Sequence, residues 1–543
     1  MKILIVIPAR GGSKGIPKKN IRLMNGEPLI SYAIKNARAC QREWDVDVVV
    51  DTDDDEITKI AKKYGGDVNR RPKELAGDDV TLDPVIINAY NEMKKRSNCS
   101  YDYVITLQPT SPTLKSSTLI KAVSYAARND VETLISVIND PHLSWSNVDE
   151  RMLPDYKERV NRQLLPPHYR ETGGFLITKA ALLDKGIRLS ENIQVFELPE
   201  EEAIDIDGIK DWVVCESILK RKKIIFRADG YESLGMGHIY RCITLAYQFI
   251  EHDVEIVTNS GYEDGVRKLE QSRLPYEKVK DTEEFLEYVK NHPVDIVVND
   301  VLNTEKEYVQ ELKRYVPRVI NFEDQGEGAI YADAVINAIY DNEPVRENLY
   351  SGFKYFVIRD EFLRATRNDF HKNVKNVLAM FGGSDPSNMS LRIYKIFQKL
   401  AESNPELQFH IITGIGYLYK DELKDDREHN IYVHNDVEIV SEYMEKADLA
   451  ITSQGRTIYE LACMGVPSIV LAQNARETTH IFANLKNGFI NLGIGKDNEE
   501  ESIINTIDWL IHTPKVREEM RLSLLEKNFY EGPNRVRKII LGE

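Results

Sequence analysis

Short β-branched runs separated by longer amphipathic stretches recur along the whole chain, and that alternation constrains the fold more than any other feature. Residues 2–7, 47–51 and 103–107 read as buried strands, and residues 84–95 and 117–128 as helices between or after them. Strands alternating with helices call for parallel sheets joined by helical crossovers. The pattern then starts again. After a polar helix ending in Leu219-Lys220-Arg221-Lys222, the run Lys223-Ile224-Ile225-Phe226-Arg227 opens a fresh strand followed by a glycine-rich turn. A second beginning at that depth marks a domain fusion, with the boundary near residue 222. Beyond it the strand candidates form two sets, 254–258, 295–298, 318–322 and 334–339, then 377–381, 410–413, 448–452 and 467–472. A charged, loop-like stretch at 364–375 joins them. The expected organisation is one domain over 1–222 and two subdomains over 223–365 and 366–543, with a ligand cleft between the last two.

Composition narrows the function classes. The 543 residues exceed what one core serves, and 42% hydrophobic against 29% charged residues is the balance of a folded chain. With 87 acidic and 71 basic residues the net charge is −16, which opposes broad nucleic-acid binding but allows a local phosphate pocket. Cys40, Cys99, Cys215, Cys242 and Cys463 lie far apart with no CxxC pair, so neither a disulfide framework nor a zinc site is expected. There is no run of about 18 apolar residues, and the opening apolar run stops at Pro8, too short for a signal peptide. A cytoplasmic protein with neither membrane nor nucleic-acid partners is the expectation.

The strongest chemical signal is Ile7-Pro8-Ala9-Arg10-Gly11-Gly12-Ser13-Lys14-Gly15-Ile16-Pro17-Lys18-Lys19-Asn20, directly after the first strand. Gly11 and Gly12 let the backbone approach an anion, and Arg10, Lys14, Lys18 and Lys19 gather four cations in an otherwise acidic chain. Such a turn at the carboxyl end of a strand suits a triphosphate, although it is neither the Walker pattern nor GxGxxG. The stretch closely resembles the nucleotide loop of the CMP–sialic acid synthetases, the acylneuraminate cytidylyltransferases. Further matches follow in the family's order: Asp51-Thr52-Asp53, Arg70-Arg71-Pro72, Leu107-Gln108-Pro109-Thr110-Ser111-Pro112 and Asp205-Ile206-Asp207.

That resemblance, covering roughly 1–220, implies an α/β, Rossmann-like nucleotidyltransferase domain of GT-A-like class. It implies transfer of CMP from CTP to a nonulosonic acid, with release of pyrophosphate. Arg10, Gly12, Ser13 and Lys14 are then expected at the phosphates, Lys19 and Asn20 on the floor of the site, and Arg71 at the cytosine. Gln108 is expected at the acidic sugar. Asp205 and Asp207, two apart and so on one face of a strand, are expected to hold Mg2+, with Asp207 and Lys19 in the catalytic group. Thr172 stands where the family commonly carries Asn; Arg170 nearby matches a carboxylate in two-pronged fashion. Related synthetases are often dimers, so a homodimer is expected.

The second half repeats strand–glycine–helix logic. Arg227-Ala228-Asp229-Gly230 precedes Leu234-Gly235-Met236-Gly237-His238-Ile239-Tyr240-Arg241, which places His238 in the first turn of a helix with Asp229 close in sequence. Phe381-Gly382-Gly383-Ser384-Asp385-Pro386 and the run Ser453 to Pro467 follow. This ordering resembles the two-Rossmann-domain, GT-B-like glycosyltransferases, in which the residue matching Glu460 grips the ribose. Gly237-His238-Ile239, Arg241, Gly382 to Asp385 and Gln473-Asn474 together resemble the UDP-sugar hydrolase of pseudaminic acid biosynthesis, over roughly 223–543. That resemblance implies hydrolysis of a UDP-2,4-diacetamido-trideoxyhexose without a metal. His238 would be the base, and Gly237, Gly383, Ser384, Glu460 and Asn474 would hold the UDP-sugar. The two activities belong to one pathway but are not consecutive, so a separate phosphoenolpyruvate-dependent synthase is expected between them. The alternatives are a true UDP-sugar glycosyltransferase or a non-catalytic nucleotide-binding regulatory module in the second half.

Overall fold

The computed structural model describes residues 1–12, 15–77, 79–230, 236–340, 346–414 and 416–543. The chain forms two compact units, Met1–Arg221 and Lys222–Glu543. Among the described residues, the first unit contains a seven-stranded sheet. Its order is Ile193–Glu197, Thr133–Asn139, Tyr169–Lys179, Tyr103–Leu107, Lys2–Pro8, Asp45–Thr52, Asp67–Arg70. Every neighbour pair is parallel except those made by Tyr169–Lys179, which runs antiparallel to the strands on both sides.

The opening strand is apolar at every position after Lys2 because it is buried on two faces. Ile3, Ile5 and Ile7 pack with Ile30, Ile34 and Ala122 from helices on one side. Leu4 and Val6 pack with Ile86, Ala89 and Tyr90 on the other. The helices expected at 84–95 and 117–128 span Leu82–Ser97 and Ser116–Arg128. Because the inner strands are parallel, Pro8, Thr52 and Leu107 end at one edge of the sheet, and the loops carrying the candidate motifs leave from it.

The second unit has, among its described residues, two all-parallel sheets, an α/β arrangement of GT-B-like type. The first runs in the order Tyr276–Val279, Asp253–Asn259, Lys223–Ala228, Ile296–Asp300, Arg318–Phe322, Ala334–Asn337, Leu349–Ser351. The second runs Ile431–Asn435, Gln408–Thr413, Asn376–Met380, Leu449–Thr452, Ser468–Ala472, Phe489–Ile494. The last helix, Gly532–Leu541, does not stay with the second sheet, as a subdomain over 366–543 would have it. Its apolar face, Val536, Ile540 and Leu541, packs on Ile224, Phe226 and Ile336 of the first. Arg318 fixes it there by donating to the carbonyls of Ile540 and Ile539 at 3.0 and 2.7 Å, in the last turn of the helix. No helix among the described residues is long and apolar enough to cross a membrane.

Candidate active sites

In the first unit the glycine turn and the aspartate segment meet. Lys19 Nζ donates to the carbonyl oxygen of Ile206, between Asp205 and Asp207, at 2.7 Å. A methyl group on Gly15 would lie 2.5 Å from the carbonyl oxygen of Asp207, so only glycine lets the turn pass this close. Ile16 and Ile206 share a small apolar cluster with Met24, Leu29 and Trp212 that locks the two segments together. The residues after Leu107 join them, since the Ile206 amide donates to the Thr110 carbonyl at 2.9 Å.

The turn itself is braced from within. The buried Asn20 amide donates to the Arg10 carbonyl at 3.0 Å, closing the loop at its neck, so Asn20 is a brace as well as part of the floor. Arg10 reaches the Gly77 carbonyl at 3.1 Å, and the Gly11 amide donates to Asp53 at 3.0 Å. Gly12 is exposed, and a side chain there would meet nothing within 4 Å, so the open side of the turn lies at this residue. Ser13 and Lys14 lie outside the described residues. Lys18 departs from the expected group of four cations: its ammonium pairs with Glu56 at 2.8 Å on the surface.

Four expected site residues sit differently from what the sequence suggests. Residues 203–207 carry no regular strand, so the shared-face reasoning for Asp205 and Asp207 fails; instead Ile206 is buried between a half-buried Asp205 and an exposed Asp207. Arg71 is buried, with Nε on the Asp51 carboxylate at 2.5 Å and a terminal nitrogen on the Asp51 carbonyl at 3.1 Å. Asp51 also accepts from Asn69 at 2.7 Å, which fixes the pair from the other side. Arg170 is exposed and lies 3.7 Å from Asp140, so a carboxylate of the chain itself already occupies its neighbourhood. Thr172 is buried in a strand bulge with its hydroxyl 2.8 Å from Ser136 Oγ.

Unpaired polar atoms collect at the same edge. Thr110 Oγ1, Ser111 Oγ, Thr113 Oγ1 and Asp205 Oδ1 are buried without a hydrogen-bond partner among the described residues. Gln108, half-buried, begins this turn. The Asp205 carboxylate stands where Gly173 has no side chain; a methyl there would be 2.8 Å from its carboxyl carbon. A buried carboxylate oxygen with no donor is a fit for a hard cation such as Mg2+.

In the second unit His238, buried in the first turn of Gly237–Ala246, faces Asp300 at the end of strand Ile296–Asp300, with Nδ1 to Oδ1 at 2.5 Å. The expected neighbour, Asp229, is instead paired with Arg227 and accepts the Asn259 amide at 2.9 Å. Arg241, one turn along the helix, grips Asp300 with Nε at 2.6 Å and a terminal nitrogen at 2.5 Å. Its other branch bonds Glu323, to which Arg456 also donates at 3.2 Å. Burial alone would raise the Asp300 pKa, but Arg241 and His238 outweigh it and hold the carboxyl well below the usual range. Asp300 is therefore ionised and accepts from Nδ1, which fixes the orientation of the ring.

The distal sheet carries the remaining candidates. Gly382 takes φ +82°, Gly383 is open, and Ser384 leads into Asp385, whose carboxylate accepts the Met389 and Ser390 amides at 2.9 and 2.7 Å. Burial pushes the Asp385 pKa up against those donors. Glu460, buried on helix Thr457–Met464, accepts from Arg359 at 2.9 Å. Asn474 Oδ1 accepts the Glu477 amide at 3.0 Å and so caps the short turn Glu477–Thr479. A methyl on Gly237 would lie 2.9 Å from Arg456 Cδ, so the arginine of the distal sheet passes directly over the turn before His238. The sequence reading missed Asp300, Glu323 and the roles of Arg241 and Arg456. One signal was present: Asp300 is a charged residue two positions past the apolar run Ile296-Val297-Val298, at the strand end where ligands bind.

A family model described as cytidylyltransferase matches residues 4–192, and one described as glycosyltransferase family 28 C-terminal domain matches residues 377–536. The pseudaminic acid cytidylyltransferase of Campylobacter jejuni is 35% identical over 228 residues, which cover 40% of this chain and 97% of that protein. An uncharacterized protein of Methanocaldococcus jannaschii is 30% identical over 273 residues, 46% of this chain, and the chain spans 56% of that protein's length. The spore coat polysaccharide biosynthesis protein SpsG of Bacillus subtilis is 26% identical over 298 residues, covering 52% of this chain and 86% of that protein. The chain belongs to the cytidylyltransferase family, with a carboxyl-terminal glycosyltransferase 28-like domain in the same polypeptide.

Proposed function

We propose that the first unit transfers CMP from CTP to a nonulosonic acid. The observation that carries this reading is the hydrogen bond from Lys19 to Ile206, which sets a cation of the glycine turn beside the two aspartates. Arg10, Gly12 and Lys19, with Ser13 and Lys14, would meet the triphosphate, and Asn20 holds the turn closed around it. Asp205 and Asp207 would hold Mg2+, which offsets charge on the phosphate oxygens when bound. A sugar hydroxyl attacks the α-phosphorus and gives its proton to water, the bond to the bridging oxygen breaks, and pyrophosphate leaves. Arg71, committed to Asp51, would shape the base pocket rather than reach far into it. Gln108 and Arg170 remain the residues for the acidic sugar. The C. jejuni relative's name supports a sugar of the pseudaminic type. Exposed Trp145, Met152 and Leu153 on the hairpin Trp145–Val148 and Arg151–Pro154 support the expected homodimer. Incubating the chain with CTP, Mg2+ and a panel of nonulosonic acids should give pyrophosphate and one CMP-sugar by mass spectrometry. Release of pyrophosphate without any acid would overturn this reading.

For the second unit we propose hydrolysis of a UDP-2,4-diacetamido-trideoxyhexose. His238 Nε2 takes the proton of a water as its oxygen bonds to the anomeric carbon, and the bond to the diphosphate breaks with its electrons leaving on UDP. Gly237, Gly383, Ser384 and Glu460 would hold the UDP portion. The supporting observation is the dyad itself, an imidazole oriented by a buried carboxylate. UDP should appear from the UDP-sugar with water as the only acceptor; UDP formed only on addition of an organic acceptor would make the unit a glycosyltransferase. Hydrolysis and cytidylyl transfer would flank the step of a separate phosphoenolpyruvate-dependent synthase.

A further inference from the structure

The His238–Asp300 pair is not an isolated dyad. The side chains of Asp300, Arg241 and Glu323 are 0%, 2% and 6% exposed, so no solvent competes for the charges that hold the dyad. Asp300 and Glu323 contribute two negative charges, and Arg241 and Arg456 two positive ones, so the four charges beside the imidazole sum to zero. Arg241 stands at its centre. Its Nε and one terminal nitrogen take both oxygens of Asp300, the two-pronged fit of a guanidinium to a carboxylate, and the opposite branch takes Glu323. Asp300 can therefore neither rotate nor gain a proton without breaking the grip of Arg241. Glu323 lies just beyond strand Arg318–Phe322, and Arg456 comes from the distal sheet, immediately before helix Thr457–Met464. The hold on Asp300 thus spans both sheets of this unit.

We infer that Arg241 is a positioning residue for the second reaction: it fixes Asp300, and through it the tautomer and aim of His238, and Glu323 and Arg456 hold Arg241 in turn. This rests on the hydrolase reading of the second unit. A purely structural ion cluster would hold the fold together and leave the chemistry to residues elsewhere; a positioning cluster makes the dyad itself depend on Arg241.

The test uses the full chain with a UDP-2,4-diacetamido-trideoxyhexose and the variants Arg241→Met, Arg241→Lys, Asp300→Asn and the Arg241→Met/Asp300→Asn double variant. Arg241→Met should lower kcat for UDP release about 100-fold while KM changes less than about threefold, because the residue touches no substrate. Arg241→Lys keeps the charge but not the fork, and should recover part of the rate. The double variant should be no slower than Asp300→Asn alone, because Arg241 acts through Asp300. A rise in KM at unchanged kcat, or losses that multiply in the double variant, would overturn the inference. The Nδ1 proton of His238, followed by 15N-histidine NMR, gives a readout independent of turnover. It should be present in the unaltered chain and lost or shifted in Arg241→Met, or in Arg241→Lys if the methionine variant does not fold. If the unaltered chain releases no UDP, the hydrolase reading fails, and the NMR comparison still decides the positioning claim. An unchanged His238 signal in either folded variant contradicts it.

Discussion

The two candidate sites of this chain place their charges in opposite ways. At the amino-terminal turn, Lys18 pairs with Glu56 at the surface, a side chain on Gly12 would meet nothing within 4 Å among the described residues, and the hydroxyls of Thr110, Ser111 and Thr113 are buried with no partner among them. Around His238, the groups of Asp300, Arg241, Glu323 and Arg456 are joined by hydrogen bonds in one network. The difference fits the role proposed for each site. A site that binds a polyanion leaves donors and a cation-seeking carboxylate to be completed by the ligand, whereas a site that needs one oriented base fixes it before any ligand arrives.

Four variants sharpen or break that contrast. The largest effect should come from His238→Ala, which removes the proposed base: UDP release should fall about 1,000-fold, measured with saturating UDP-sugar. Pyrophosphate release by the first unit should stay as it was, and a parallel fall in both would deny the two sites their independence. Next is Gly173→Ala, whose methyl would lie 2.8 Å from the carboxyl carbon of Asp205. Displacing that carboxylate should reduce pyrophosphate release about tenfold and cost about 1–3 kcal/mol in the unfolding of the first unit.

A smaller effect concerns acid. Glu323 has a pKa lowered from 4.5 to about 2, because Arg241 and Arg456 outweigh the upward push of burial. A carboxyl with a folded pKa below its unfolded one stabilises fully above the unfolded value, and that stability is lost as pH falls toward the folded value. The second unit should therefore weaken between pH 4.5 and about 2, and Glu323→Gln should flatten that loss in acid-unfolding curves. The smallest effect is Asn474→Ala. Its carboxamide caps the Glu477 turn, so about 1 kcal/mol of stability should go while UDP affinity, read by calorimetry, holds within about twofold. A much larger loss of affinity would give Asn474 a direct place on the diphosphate.

Much of this was legible in the sequence, for definite physical reasons. Strands buried on both faces, such as Lys2–Pro8 and Tyr103–Leu107, announce themselves as continuous apolar runs. Edge strands such as Tyr276–Val279 and Ile431–Asn435 mix polar and apolar residues, and they went unread. The glycine turn was visible because its residues are contiguous. The dyad was only half visible: His238 sits in a motif, but Asp300 is 62 residues away and Glu323 further still, brought in by parallel strand order. Proximity in sequence favoured Asp229, which the fold turns toward Arg227 instead. The aspartate segment failed as a strand yet still reached the turn, because buried Ile206 rather than a pleat sets its position.

The closest test of the whole reading is pyrophosphate release from CTP by the intact chain with Mg2+ and a pseudaminic-type acid, compared with Asp207→Ala. Asp207 is exposed, so the variant should melt where the unaltered chain does while losing more than about 100-fold in rate. Equal rates in the two proteins would mean that the turn and the aspartates do not serve one nucleotide, and would contradict the assignment of the first unit.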